Sequence, residues 1–146
     1  MRLNLQTDYA LRVLTYLAVM QDRRATTADI ADRFGISRNH LNKVVNALAR
    51  EGFVEAIRGR SGGLRLAQPA GRILVGEVVR RMEADFAIAD CFQGGKGDCL
   101  IFPACRLRGV LQKALEAFLA TLDGVTLHDL VTLNADLETL LVQEPA

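Results

Sequence analysis

The sequence predicts a mainly α-helical protein: a winged helix-turn-helix with a small β-hairpin wing and a long C-terminal dimerisation helix. Three observations predict it. Two short helix patterns, each opened by a hydroxyl residue, flank Gly35; a hairpin pattern tipped by Arg58 and Arg60 follows the second; and an apolar seam wider than one face needs runs through the last third of the chain. The 146 residues, half of them hydrophobic, suffice for one domain, or for a small domain plus an assembly element. They divide into a winged-helix DNA-binding module over residues 1–83 and a cysteine loop with dimerisation helices over residues 84–146.

Met1 to Leu5 reads as an extended lead-in, and Thr7 as the cap of a first helix reaching Met20. Tyr9, Val13, Tyr16, Leu17 and Met20 recur at helical spacing and are expected in the core. Asp8 falls in the first turn, where an acid favours the helix dipole. After a polar turn from Gln21 to Ala25, Thr26 caps a two-turn helix that points Ile30, Ala31 and Phe34 inward, and Gly35 supplies a left-handed stop. Ser37 caps the next helix, whose Leu41, Val44, Val45 and Leu48 follow the i, i+3, i+4, i+7 pattern. Its other face carries Asn39, Asn42, Lys43, Asn46 and Arg50, with Arg38 and His40 at its start. Amides and cations on an exposed helix reach phosphates and base edges, so Ser37, Arg38, Asn39, His40, Asn42 and Lys43 are the candidate major-groove contacts. Gly52 then ends the helix, Phe53–Ile57 and Leu64–Leu66 read as paired strands, and the turn between them places Arg58 and Arg60 against a minor groove or backbone. Pro69 and Gly71 close the module.

Ile73–Met82 reads as a linking helix that packs Ile73, Leu74, Val78 and Val79. Asp85 to Asp90 leads into the cysteine stretch, and a long helix follows from about Cys105 to Asp123. Leu107, Leu111, Ala114, Phe118 and Leu122 form its seam, which Val110, Leu115 and Leu119 widen. The surplus fits a subunit interface or a helix wedged between layers of its own core, and a palindrome-reading repressor needs a two-fold dimer. Gly124 ends that helix, one or two closing helices span Thr126–Val142, and a frayed tail is expected from Glu144. His128 lies on a polar boundary, where a solvated imidazole is the expectation.

The net charge of +1 conceals a division. Arg33 to Arg72 holds eight basic residues against two acids, whereas Ala114 to Ala146 holds six acids and no Arg or Lys. One end is built for a polyanion such as double-stranded DNA. No apolar run approaches the roughly eighteen residues of a membrane span, and Asp8 and Arg12 interrupt the apolar character near the start, so neither membrane nor export signal is expected and the location is cytoplasmic. His40 and His128 are the only histidines, no nucleophile motif or phosphate loop is present, and an enzyme is not expected.

All three cysteines, Cys91, Cys99 and Cys105, lie within fifteen residues, separated by seven and five others. Gly94, Gly95 and Gly97 let the backbone fold back, and Pro103 stiffens the approach to the last thiol. Scattered cysteines act as small buried hydrophobes, but these are gathered. An odd count without an export signal argues against disulfides. Zinc sites announce themselves by close pairs, absent here, so wide spacing puts an iron–sulfur centre ahead of zinc. Three thiolates leave a fourth ligand to come from elsewhere in the fold, from a partner, or from solvent.

Met-Arg-Leu at the start, Thr7-Asp-Tyr-Ala-Leu-Arg12, Ser37-Arg-Asn-His-Leu-Asn-Lys-Val-Val45, Arg58-Gly-Arg-Ser-Gly-Gly-Leu-Arg-Leu66 and Pro103-Ala-Cys-Arg-Leu107 resemble the iron–sulfur winged-helix repressors, over nearly the whole chain. The Ser-Arg-Asn-His and Pro-Ala-Cys-Arg-Leu runs are most similar to the nitric-oxide-sensing branch of that family. The resemblance implies a homodimer in which Cys91, Cys99 and Cys105 hold an iron–sulfur cluster, [4Fe-4S] ahead of [2Fe-2S], and the partner subunit's Asp8 is the fourth ligand. It also implies that the loaded protein binds a palindromic operator and that nitric oxide releases it. Another branch places a histidine ligand three residues beyond the third cysteine, where this chain has Arg108. An iron-regulating branch shares the wide spacing but not the Ser-Arg-Asn-His run or the acid at Asp8. Iron or cluster-status sensing is therefore the alternative, ahead of an iron–sulfur electron carrier and of a cluster-free winged-helix regulator.

Overall fold

A computed structural model of the chain describes residues 1–93 and 99–143. The glycine turn expected at Gly94, Gly95 and Gly97 and the frayed tail from Glu144 lie outside the described residues.

Helix α1 spans Leu5–Met20 and its cap is Asn4, not Thr7. The Asn4 side-chain oxygen accepts from the Thr7 N–H at 2.8 Å. Asparagine caps as well as threonine does, and a distant residue decides between them: Glu83 accepts from the Asn4 backbone N–H at 2.8 Å and from its amide at 3.0 Å. Thr7 is instead buried in the first turn, where its Oγ1 has no hydrogen-bond partner among the described residues. Val13, Tyr16 and Leu17 enter the core as expected, with Tyr9 and Met20 partly covered beside them.

Helix α2, Thr27–Phe34, opens with a capping box in which Thr26 and Asp29 each satisfy the other's backbone N–H. Gly35 follows in the left-handed region at φ 63°. Helix α3, Arg38–Arg50, is capped by Ser37, which accepts from the His40 N–H at 3.2 Å. Strands β1, Val54–Ile57, and β2, Gly63–Leu66, pair antiparallel from Val54↔Leu66 to Ile57↔Gly63. The wing is rooted on the α1–α2 turn, because the Leu64 N–H donates to the Ala25 carbonyl at 2.7 Å and Arg24 Nε to the Gly62 carbonyl at 3.0 Å. A Cβ on Gly63 would overlap that Ala25 carbonyl.

Helix α4 spans Val75–Met82 and starts after Leu74, which is exposed rather than packed as expected. The backbone of that segment is engaged elsewhere. The Val75 N–H donates to the Val125 carbonyl at 2.9 Å, the Leu127 N–H to the Ile73 carbonyl at 3.0 Å, and Leu74 bridges Thr126. Single 3-10 turns follow at Asp90–Phe92 and Phe102–Ala104, then α5 (Arg106–Asp123), α6 (Leu127–Val131) and α7 (Ala135–Val142).

One core joins α1, α2, α3 and the wing root through residues such as Leu14, Ile30, Leu41, Val44, Leu48 and Phe53. Leu127 of α6 and Leu141 of α7 belong to that same core. Helix α5 differs: none of its residues is fully buried. Its Leu115, Phe118 and Leu122 line a groove shared with Val75 and Val79 of α4, while Leu107 and Val110 are each 60% exposed. No helix among the described residues is long and apolar enough to cross a membrane.

Candidate functional site

Helix α3 is seated by its apolar stripe. Leu41, Val44 and Leu48 are fully buried, which turns Arg38, Asn39, Asn42 and Lys43 into solvent together with the cap Ser37. His40 is half-buried, because its ring packs edge-on against Tyr9 of α1 with centroids 5.0 Å apart. Arg38 makes an exposed 3.4 Å ion pair with Asp32, an interaction weak enough to exchange for a phosphate. Arg58 and Arg60 project from the wing tip, exposed and without an acidic partner among the described residues. Of the eight predicted DNA contacts seven are thus exposed, on one helix and one hairpin tip, and His40 is half-buried beside them. The glycines make that tip possible: Gly59 has φ 110°, and a Cβ on Gly62 would lie 2.6 Å from the Ile57 carbonyl and 2.8 Å from that of Gly59.

The three thiols are free. Cys91 sits half-buried in the turn Asp90–Phe92, Cys99 is exposed, and Cys105 is the half-buried N-cap residue of α5. The Cys105 side chain makes no capping hydrogen bond, so its sulfur is not consumed by the helix. Among the described residues no three His, Cys, Asp or Glu side chains converge as a single metal ion requires. The donor set still fits an iron–sulfur cluster, because thiolates are the ligands such clusters take and a cluster, unlike a lone ion, would offer more than one iron to separated thiols.

Asp8 is not gathered with these thiols within one chain. It lies on the wall of the apolar groove formed with Phe86, Ile88, Leu115 and Phe118, where it pairs with Arg12 at 2.7 Å. The Arg12 guanidinium also stands 5.7 Å from the Tyr9 ring centre and 5.9 Å from that of Phe34. A continuous set of contacts therefore leads from Asp8 through Arg12 and Tyr9 to His40 at the start of α3. Arg12 and Tyr9 were not singled out as functional from the sequence, although the Asp8–Arg12 spacing of one helical turn was readable there.

The residues 3–133 match the Rrf2 family, described as iron-dependent transcriptional regulators. The chain belongs to the Rrf2 family. Two Rrf2-type relatives share its length: the HTH-type transcriptional regulator NsrR of Geobacillus kaustophilus is 45% identical over 142 residues, covering 97% of each chain. That of Bacillus subtilis is 47% identical over 142 residues with the same coverage. The solved structure of T. potens IscR superposes with a TM-score of 0.72 at 23% identity, over 99% of this chain and 94% of the other, a likeness of fold. The winged-helix architecture expected from the sequence is thus the Rrf2 fold, and this chain is a transcriptional regulator of that family.

A joint between α4 and α5 was not foreseen. Gly76 of α4 lies so close to the end of α5 that a Cβ there would overlap the Asp123 carboxylate and stand 2.9 Å from the Asp123 nitrogen. Arg80, one turn on, grips both oxygens of that carboxylate. Its hydrogen bonds hold Asp123 below the usual carboxylate range. The neighbouring Arg81 reaches Glu51, the C-cap of α3, at 3.1 Å. Helix α4 thus ties the far end of α5 to the end of α3.

Proposed function

We propose that this chain is a homodimeric, cluster-dependent repressor that holds palindromic operator DNA and releases it when nitric oxide reaches an iron–sulfur cluster held by Cys91, Cys99, Cys105 and the partner subunit's Asp8. The observation that carries the reading is a lever: three free thiols precede α5, the last of them as its N-cap residue, and the end of α5 is locked to the DNA-reading module through Asp123, Gly76 and Arg80. The names of the two bacterial relatives support the same assignment. When bound, the cluster supplies iron with which nitric oxide reacts.

The chain's own residues do the rest. Arg58 and Arg60 meet backbone phosphates, while Ser37, Arg38, Asn39, His40, Asn42 and Lys43 enter the major groove. Asp8 has two uses: engaged across the dimer it leaves Arg12, and disengaged it returns to the ion pair present here. Arg12 touches Tyr9 and Tyr9 touches His40, so the choice made by Asp8 is felt at the start of α3. A carboxylate is a harder ligand for such iron than a thiolate, so Asp8 would be the most weakly held of the four ligands. Residues 1–83 then read DNA, and residues 84–146 carry the thiols and the dimer seam. Moving the operator from nearly full to nearly empty needs the two states to differ by about 5 kcal/mol.

A second reading, sensing of iron supply, is favoured by the family's description as iron-dependent. An anaerobic nitric-oxide titration followed by absorbance and operator binding together separates the two. Bleaching and release at matching equivalents are expected; release by an iron chelator but not by nitric oxide would replace the first reading with the second.

A further inference from the structure

We infer that Arg108 is the positioning residue of the cysteine loop, a cationic clamp that presets the backbone beside all three thiols. Its guanidinium carbon lies 5.8 Å from the Phe92 ring centre and 5.3 Å from that of Phe102. Phe92 directly follows Cys91 in the turn Asp90–Phe92. Phe102 stands between the other two cysteines and is bonded to both, its N–H donating to the Cys99 carbonyl at 3.0 Å and its carbonyl accepting from the Cys105 N–H at 3.4 Å. One cation therefore restrains the peptide units next to Cys91, Cys99 and Cys105.

The clamp matters because, among the described residues, no side-chain cap holds the turns that carry the thiols: neither 3-10 turn and not the start of α5 has a side-chain capping hydrogen bond. Arginine suits the task through its planar, weakly hydrated cation, which is attracted by an aromatic face. Arg108 is exposed and makes no ion pair among the described residues, so its contacts with the two rings are the ones its charge makes. The inference rests on the proposed role of the thiols as ligands, and a preset loop is what binding by three dispersed residues needs.

The experiment uses the full-length, reduced, cluster-free protein and reads the alkylation rate of each cysteine with iodoacetamide. Exposed Cys99 serves as the internal reference for half-buried Cys91 and Cys105, because its thiol is open to the reagent whether or not its backbone is restrained. Arg108→Met keeps an apolar stem of similar reach and is expected to speed Cys91 and Cys105 several-fold relative to Cys99, with helix content and Tm unchanged. Arg108→Lys should retain part of the protection. Phe92→Leu should reproduce the Arg108→Met effect at Cys91, and the double variant should be no faster there than either single one. Unchanged relative rates in Arg108→Met, equal loss with Lys, or additive effects of Arg108 and Phe92 would each overturn the clamp. In loaded protein, Arg108→Met should also shorten the time for iron transfer to a chelator several-fold. A wild-type chain that takes up no iron and sulfide would defeat the ligand reading while the alkylation rates still decide the clamp.

Discussion

Arg60 and Asp29 show how differently two charges on this surface act. Arg60 sits at the wing tip with no acid nearby among the described residues, so its charge is available to a phosphate. Arg60→Ala is expected to weaken operator binding and to reduce the slope of log affinity against log salt by about one, measured by anisotropy at several salt concentrations. Asp29, equally exposed, is engaged by its own capping box. The Thr26 hydroxyl is the largest influence and holds the Asp29 carboxyl below the usual range; burial opposes it, and the Thr26 backbone N–H adds a further lowering. A carboxylate depressed in the folded state stabilises above its unfolded pKa, and that stability is lost as pH falls through the folded one. Acid melting below about pH 4 should therefore be less steep in Asp29→Asn, which should itself be less stable at neutral pH by thermal denaturation.

Among the elements, α6 is the shortest helix and the one whose role the sequence concealed most. Its Leu127 is fully buried in the core of the winged module. Leu127→Ala is expected to cost roughly 2–5 kcal/mol by denaturant unfolding, and to do so in the same transition that reports the core of α1 and α3. The α4–α5 joint makes a different demand. Because Gly76 touches Asp123, Gly76→Ala must push α5 outward and open the Arg80 grip. The expected outcome is coupling lost without ligands lost: the cluster spectrum stays, while loaded and cluster-free protein bind operator with affinities that converge. A wide remaining gap in affinity would show that α5 does not carry the signal.

At the scale of the whole molecule, α5 leaves Leu107 and Val110 each 60% exposed, beside an apolar groove rimmed by the N-terminal residues and Phe86. A second copy is the occupant that the proposed two-fold operator requires. Val110→Asp is expected to shift sedimentation equilibrium from dimer to monomer and to weaken operator binding at least tenfold, with the monomer's helix content intact. Much of this was readable beforehand. The caps at Thr26 and Ser37, the stop at Gly35, the stripe Leu41–Leu48 and the wing all followed from local chemistry, where a residue's neighbours in sequence are its partners in space. The cap of α1 was misplaced at Thr7 because Glu83, which favours Asn4, is seventy-nine positions away. Leu74 was expected inside because periodicity does not reveal that its backbone is claimed by Thr126.

The order of the elements, the exposed cations of α3 and the wing, and the grouping of Cys91, Cys99 and Cys105 were determined by the sequence alone. Each depends on spacing of a few residues, over which backbone geometry is predictable. What the tertiary structure decided is how those parts touch: Arg108 between Phe92 and Phe102, Arg12 between Asp8 and Tyr9, Asp123 against Gly76. Such contacts depend on which faces the hydrophobic core turns toward one another, and that choice is made by the whole chain at once.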